Sequence, residues 1–95
     1  MGLINHDTLI HNGIPCVNTY VCISNAVIKI SFNKINNLYL IEIPYFIYYS
    51  QDVKNNGYGP LINSSFLCSL SVLPQDMYNY CYQELKNLYT NYSDA

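Results

Sequence analysis

The run Leu38-Tyr39-Leu40-Ile41-Glu42-Ile43-Pro44-Tyr45-Phe46-Ile47-Tyr48-Tyr49-Ser50 decides how this chain folds. It carries a single charge, Glu42, among β-branched and aromatic side chains, the types that pack well on a pleated, half-buried surface. Tyr39, Ile41, Ile43, Tyr45, Ile47 and Tyr49 make one parity apolar or aromatic throughout; the other, Leu40, Glu42, Pro44, Phe46 and Tyr48, is mixed. A period of two with one wholly apolar face predicts a β-strand buried firmly on that face and partly on the other. Pro44 has no N–H to give to a ladder, so the strand must bend near Glu42 to Tyr45 or be an edge there.

Upstream, Ala26 to Phe32 alternates, with Ala26, Ile28, Ile30 and Phe32 on one face and Lys29 and Ser31 on the other. The polar link Asn33-Lys34-Ile35-Asn36-Asn37 suits a hairpin loop, so this segment should pair antiparallel with Leu38–Ser50 and can set Lys29 opposite Glu42. Val17 to Ser24 reads as a first strand, continuing past Asn25 as one bent strand, with two hairpin strands as the alternative. Residues 1 to 15 show no clear period. Asn12-Gly13 marks a tight turn, and the segment reads as a short strand or as an extended arm lying across a neighbour.

Downstream, Gln51 to Ser64 is the longest irregular stretch, with Asn55-Asn56-Gly57 and Gly59-Pro60 as turn signals. Ser65 to Leu73 alternates again, with Phe66, Cys68, Leu70 and Val72 inward. Pro74 suits the first position of a helix, with Asp76 in the first turn. Met77, Cys81, Leu85, Leu88 and Tyr92 then recur at helical spacing. The reading is a single α+β domain over residues 1–95. An antiparallel sheet of about three to five strands lies within residues 17–73, and one C-terminal helix over residues 74–92 packs on it.

Charged residues make up 11 % of the chain, less than half of the roughly 25 % usual in soluble domains. Thirteen Asn and eleven Tyr fill the polar positions instead. AT-rich codons explain part of that bias, but Lys shares them and is scarce. A chain so weakly self-repelling and so rich in Tyr suits packing in an assembly. The net charge is −2, with four scattered Lys and no Arg, which argues against a nucleic-acid groove. No secretory leader or spanning helix is read: Gly57, Gly59, Pro60 and Pro74 interrupt the uncharged window Asn55 to Gln75. His6 stands where a myristoylation signal wants Ser or Thr.

The chemistry-bearing residues do not assemble into a motif. Cys16, Cys22, Cys68 and Cys81 include no Cys-x-x-Cys pair and read as reduced, mostly buried thiols, which favours synthesis in a cytosol. His6, Asp7, His11 and Cys16 could be drawn as a metal site, but their spacing fits one face of neither helix nor strand. Paired carboxylates, a phosphate loop and a nucleophile elbow are all missing. Both His lie in the N-terminal segment, which leaves a buried nucleophile without a base. The expectation is therefore no enzyme, metal or cofactor. Among the tyrosines, Tyr39, Tyr45 and Tyr49 read as core, and Tyr48, Tyr58, Tyr80 and Tyr92 as surface. Phe46, Tyr48, Tyr58 and Tyr80 are the candidate protein-contact residues, since exposed aromatic groups give large contact area at low entropy cost.

Several segments carry a resemblance. Asn18-Thr19-Tyr20-Val21 opens a strand; Ile47-Tyr48-Tyr49-Ser50-Gln51-Asp52 closes one ahead of a loop holding Pro60-Leu61. Tyr78-Asn79-Tyr80-Cys81-Tyr82-Gln83-Glu84-Leu85-Lys86 follows, and the chain ends Tyr92-Ser93-Asp94-Ala95. Together they resemble small proteins encoded among the structural genes of tailed bacteriophages, which often end in a helix of the type Ala-Tyr-x-x-Leu-Lys. Cys81 stands where that helix has Ala. The resemblance implies a non-enzymatic virion component of tail, baseplate or head, made in the host cytoplasm, and it transfers no functional residues. Its partners would be itself or larger virion proteins, not nucleic acid or membrane. The alternative is a small phage-encoded inhibitor of a host defence protein.

Overall fold

The structure is a computed structural model and describes residues 2–23 and 28–95. Its elements in chain order are β1 (Leu3–Asn5), β2 (Leu9–His11), β3 (Ile14–Cys16), β4 (Thr19–Ile23), β5 (Lys29–Asn33), β6 (Leu38–Tyr48), α1 (Gln51–Asn55), β7 (Ile62–Leu70), α2 (Met77–Lys86) and β8 (Tyr92–Asp94). The fold is α+β with an antiparallel sheet, as the periodicity predicts. Among the described residues the sheet has six strands, more than expected, and β2–β3 forms a separate hairpin.

β6, the long strand of the Leu38–Ser50 run, is the centre of the sheet. β7 follows one edge of β6 in unbroken register, from Tyr39 opposite Leu70 to Ile47 opposite Ile62. Two strands share the other edge in tandem. β5 pairs antiparallel with Leu38 to Glu42 as expected, which sets Lys29 opposite Glu42, and β4 pairs with Tyr45 to Tyr48. Between these pairings, Ile43 and Pro44 have no strand partner on that edge among the described residues. Pro44 thus sits where a missing donor costs nothing. Whether the chain passes from β4 to β5 as one bent strand depends on residues 24–27, outside the described residues.

β1 pairs antiparallel with β4 on one side and β8 on the other. Residues 1 to 15 are therefore no free arm: Leu3 is 1 % exposed inside the sheet. Asn12-Gly13 turns the β2–β3 hairpin with both φ positive, 51° and 78°, the two-residue turn whose twist matches paired strands. In the β5–β6 loop, Asn33 and Asn36 accept the N–H groups of Ile35 and Leu38, and Asn37 takes a φ of 55°. The Asn-rich link folds itself.

The apolar parity of β6 faces α2. Ile41, Ile43 and Ile47 join Leu3, Val21, Ile23, Cys81, Tyr82 and Leu85 in one buried cluster, with Phe66, Cys68 and Leu70 of β7 packed against it. Tyr49 and Val72, expected inside, lie beyond their strands and are exposed. The helix is shorter than residues 74–92. Asp76 caps it, its carboxylate accepting the Asn79 N–H at 3.0 Å, so Pro74 precedes the helix instead of opening it. The chain leaves the helix at Asn87 to return as β8. Leu88 and Tyr92 are consequently exposed, because strand pairing overrides the apolar stripe there.

One buried group stands out. The Thr19 hydroxyl is enclosed without a hydrogen-bond partner among the described residues, a burial that costs about 1–3 kcal/mol. Thr19→Val keeps the shape and removes the orphan, so Tm should rise by several degrees in a calorimetric scan. A fall in Tm would mean that the hydroxyl is satisfied in solution.

Candidate protein-contact surface

The second face of the sheet carries the mixed parity of β6. The sequence offers this face no obvious cover, but near β4 the structure supplies one in α1. Ser50 caps this short helix by accepting the Val53 N–H at 3.2 Å, and Lys54 sits over the Tyr20 ring, 5.5 Å from its centroid. Tyr20 and Cys22 are buried as a result. A single helical turn inside a stretch rich in turn signals leaves no period to read. The Tyr20 ring also lies across Gly2, where an added Cβ would run into the phenol end of that ring. Only glycine leaves that space.

The four candidate residues do not form one patch. Phe46 and Tyr48 are half-buried neighbours with ring centroids 6.3 Å apart, edge to face, and Tyr48 also meets Tyr20 at 6.4 Å. Burial, then the nearby Cys22, pushes the Tyr48 phenol up. Tyr58 is 68 % exposed in the loop after α1. Tyr80, read as surface, is half-buried on α2 and packs against the core cluster. Burial, then a hydrogen bond with Cys68, pushes its phenol up.

Further along this face, Lys29 and Glu42 flank a shallow depression of about 430 Å³ bordered by Pro44, Asn63, Ser64 and Ser65. They face each other across the strands without closing an ion pair; the salt bridge among the described residues joins Lys86 to Asp94 at 3.1 Å. Glu42 is half-exposed, so water solvates the carboxylate and no buried partner is needed.

The open edge beside that depression was not legible as such in the sequence. Pro44 is opposite Ser65 in the β6–β7 ladder, and a residue without an N–H can hold only a non-hydrogen-bonded position of an antiparallel pair. Because the register is unbroken, Asn63, Ser65, Leu67 and Ser69 turn their main-chain N–H and C=O groups away from β6. Nothing among the described residues pairs with them. Folded proteins usually guard such an edge with Lys, Pro, a bulge or a cover. β7 runs nine residues without a charge or proline, and Leu67 on it is 62 % exposed.

Comparison with known protein families, characterised proteins and solved structures finds no match for this chain.

One hydrogen-bonded constellation escaped the sequence reading because it joins residues 87 positions apart. The Ser93 hydroxyl is 2.9 Å from His6 Nε2, and His6 Nδ1 is 3.0 Å from Asn18 Oδ1. Hydroxyl, imidazole and amide stand in the order of a nucleophile, base and orienting group. All three are solvent-exposed, however, and lack the water-excluded surroundings that activate a nucleophile. The arrangement acts as a clip across β8, β1 and β4. Asp7 extends it by accepting from Thr90 and Asn91, and the His6 N–H bonds the Asn91 carbonyl at 2.8 Å.

The four cysteines are free thiols, three of them buried. Burial, with Cys68 and Glu84 adding to it, pushes Cys81 from 9.0 up to about 11; burial and Tyr45 push Tyr89 from 10.0 up to about 12. Each group is an acid held neutral by the fold, so the unfolded chain ionises first. Its stabilising contribution is whole below about pH 9 and is lost as pH rises toward 11 to 12. Tm should therefore fall steadily across that alkaline range, and a flat profile would refute this.

Proposed function

We propose that this chain is a non-enzymatic structural or accessory protein of a tailed-bacteriophage virion, in tail, baseplate or head, working through protein–protein contacts. The observation that carries the reading is the unguarded β7 edge, nine uncharged residues long with four outward-bonding positions. Such an edge can accept a strand from a partner. A free monomer gains nothing from leaving it open and risks aggregation. Low charge, the exposed Tyr58 and the likeness to small phage structural proteins support the same reading.

Mass spectrometry of purified particles tests it. Stoichiometric presence in the virion is the expected result. Early expression with absence from particles would sink the proposal and leave the inhibitor of a host defence protein in its place. Tyr58→Asp, on an exposed loop, should retain the fold and weaken incorporation if that loop makes a contact. Phe46→Asp with Tyr48→Asp asks the same of the second face, read beside a urea curve because both rings are half-buried.

A further inference from the structure

We propose that β7 is the self-association strand: two copies join edge to edge, antiparallel, about a two-fold axis at Phe66. This rests on the reading of the chain as an assembly subunit and names its first partner as a second copy.

The stereochemistry of the strand selects that register. The outward-bonding residues are Asn63, Ser65, Leu67 and Ser69, fixed by the non-hydrogen-bonded position of Pro44 opposite Ser65. A two-fold between identical strands must match outward residues with outward residues. Centred on Phe66, it pairs Asn63 with Ser69 and Ser65 with Leu67 of the second copy, and uses all four. Each such pair exchanges two main-chain hydrogen bonds. Shifting the axis to Ser65 or Leu67 leaves an outward group at one end without a partner on the nine-residue strand.

The side chains agree with this register. On the helix-facing side Phe66 meets its own copy, Ile62 meets Leu70 and Ser64 meets Cys68. On the other side the exposed Leu67 faces Ser65 of the second copy, with the second Leu67 diagonal to it across the seam. No like charges are brought together, because the stretch from Asn55 to Gln75 carries none. The rival edges are poorer. β8 is three residues long and includes Asp94, and β5 is five residues long and begins at Lys29. Joined through β7, the strand path β8-β1-β4-β6-β7 of each copy becomes one continuous sheet across both. The interface is isologous, so association closes at a dimer.

Sedimentation equilibrium should give twice the chain mass of 10.9 kDa at high concentration, dissociating on dilution. Leu67→Pro removes an N–H that bonds nothing within the subunit, so it should keep the circular dichroism and Tm yet stay at one chain mass. Should that variant fail to fold, amide exchange of the unaltered protein decides. Asn63, Ser65, Leu67 and Ser69 should gain protection with concentration, whereas Ser64, Phe66 and Cys68 should be protected throughout.

The register has its own test. Ser64→Cys places a thiol opposite Cys68 of the second copy, and oxidised glutathione should link the two chains. The unaltered protein, with Ser64 there, should not cross-link. Strict monomers, a dimer that survives Leu67→Pro with the fold intact, or no cross-link through Ser64→Cys would each overturn the proposal. A monomer that still enters virions would discard the dimer and keep the proposed function. A β7 dimer absent from virions would do the reverse.

Discussion

Leu3→Asp is expected to leave no folded protein at room temperature. Leu3 is 1 % exposed and belongs to the buried cluster with Val21, Ile41 and Leu85. Its strand sits between β4 and β8, paired to both. An unpaired carboxylate at such a site costs several kcal/mol even after relaxation, on top of about 2–5 kcal/mol for the lost packing of a buried leucine. A chain of this size has only roughly 5–14 kcal/mol in total. Leu3→Ala, losing the packing term alone, should remain folded with a clearly lower urea midpoint. A Leu3→Asp protein with native circular dichroism would mean that the N-terminal segment is dispensable after all.

That variant separates the structure from a plain reading of the sequence, under which residues 1 to 15 could lie across a neighbour. A strand of three residues shows one and a half turns of a two-residue period, too little to tell from chance. β8 escaped for that reason, and β1 was legible only as one of two alternatives, a short strand or an extended arm. They are also the first and last strands, so their pairing appears only when the chain closes on itself through His6, Asp7, Ser93 and the bond from the Ala95 N–H to the Gly2 carbonyl. Leu38–Ser50 was legible because eleven of its residues form one strand, buried mainly on one side, so side-chain parity reports the fold directly. From that strand the β5 pairing and the constraint at Pro44 could be read, with Lys29 opposite Glu42 as a register the pairing allowed.

The contact surface was less legible than the fold. Composition marks Phe46 and Tyr48 as an uncovered pair, but α1 places Lys54 over Tyr20 and shelters that corner. The β7 edge carries no compositional signal beyond a lack of charge. What exposes it is topology: β4 and β5 both choose the opposite edge of β6, leaving β7 with one neighbour. Pro44 then determines which β7 residues present their main chain outward. The residue that constrains β6 thus also marks the bonding parity of the strand beside it.

The second large effect is expected at Tyr82, where two substitutions separate packing from hydrogen bonding. The side chain is 2 % exposed in the centre of the cluster, and the Tyr78 ring meets it edge-on at 5.0 Å. Its hydroxyl accepts the main-chain N–H of Ile23 at 3.2 Å and the Tyr78 hydroxyl at 3.5 Å. Burial foremost, with the Tyr78 hydrogen bond adding to it, pushes its phenol up. Ile23 lies beyond the last β1–β4 pair, Leu3 with Val21, so the phenol oxygen stands where a strand carbonyl would otherwise serve. Tyr82→Phe keeps the ring and removes that acceptor, at about 1–3 kcal/mol for a buried donor left unpaired. For a domain of this size Tm should then fall by roughly 4–8 °C per kcal/mol. Tyr82→Ala also opens a large cavity, adding about 3–5 kcal/mol, enough to consume most of the stability and leave a marginal or unfolded chain. If Tyr82→Phe proved neutral, Ile23 would have another acceptor in solution, and the hydroxyl would no longer count as the cap of β4.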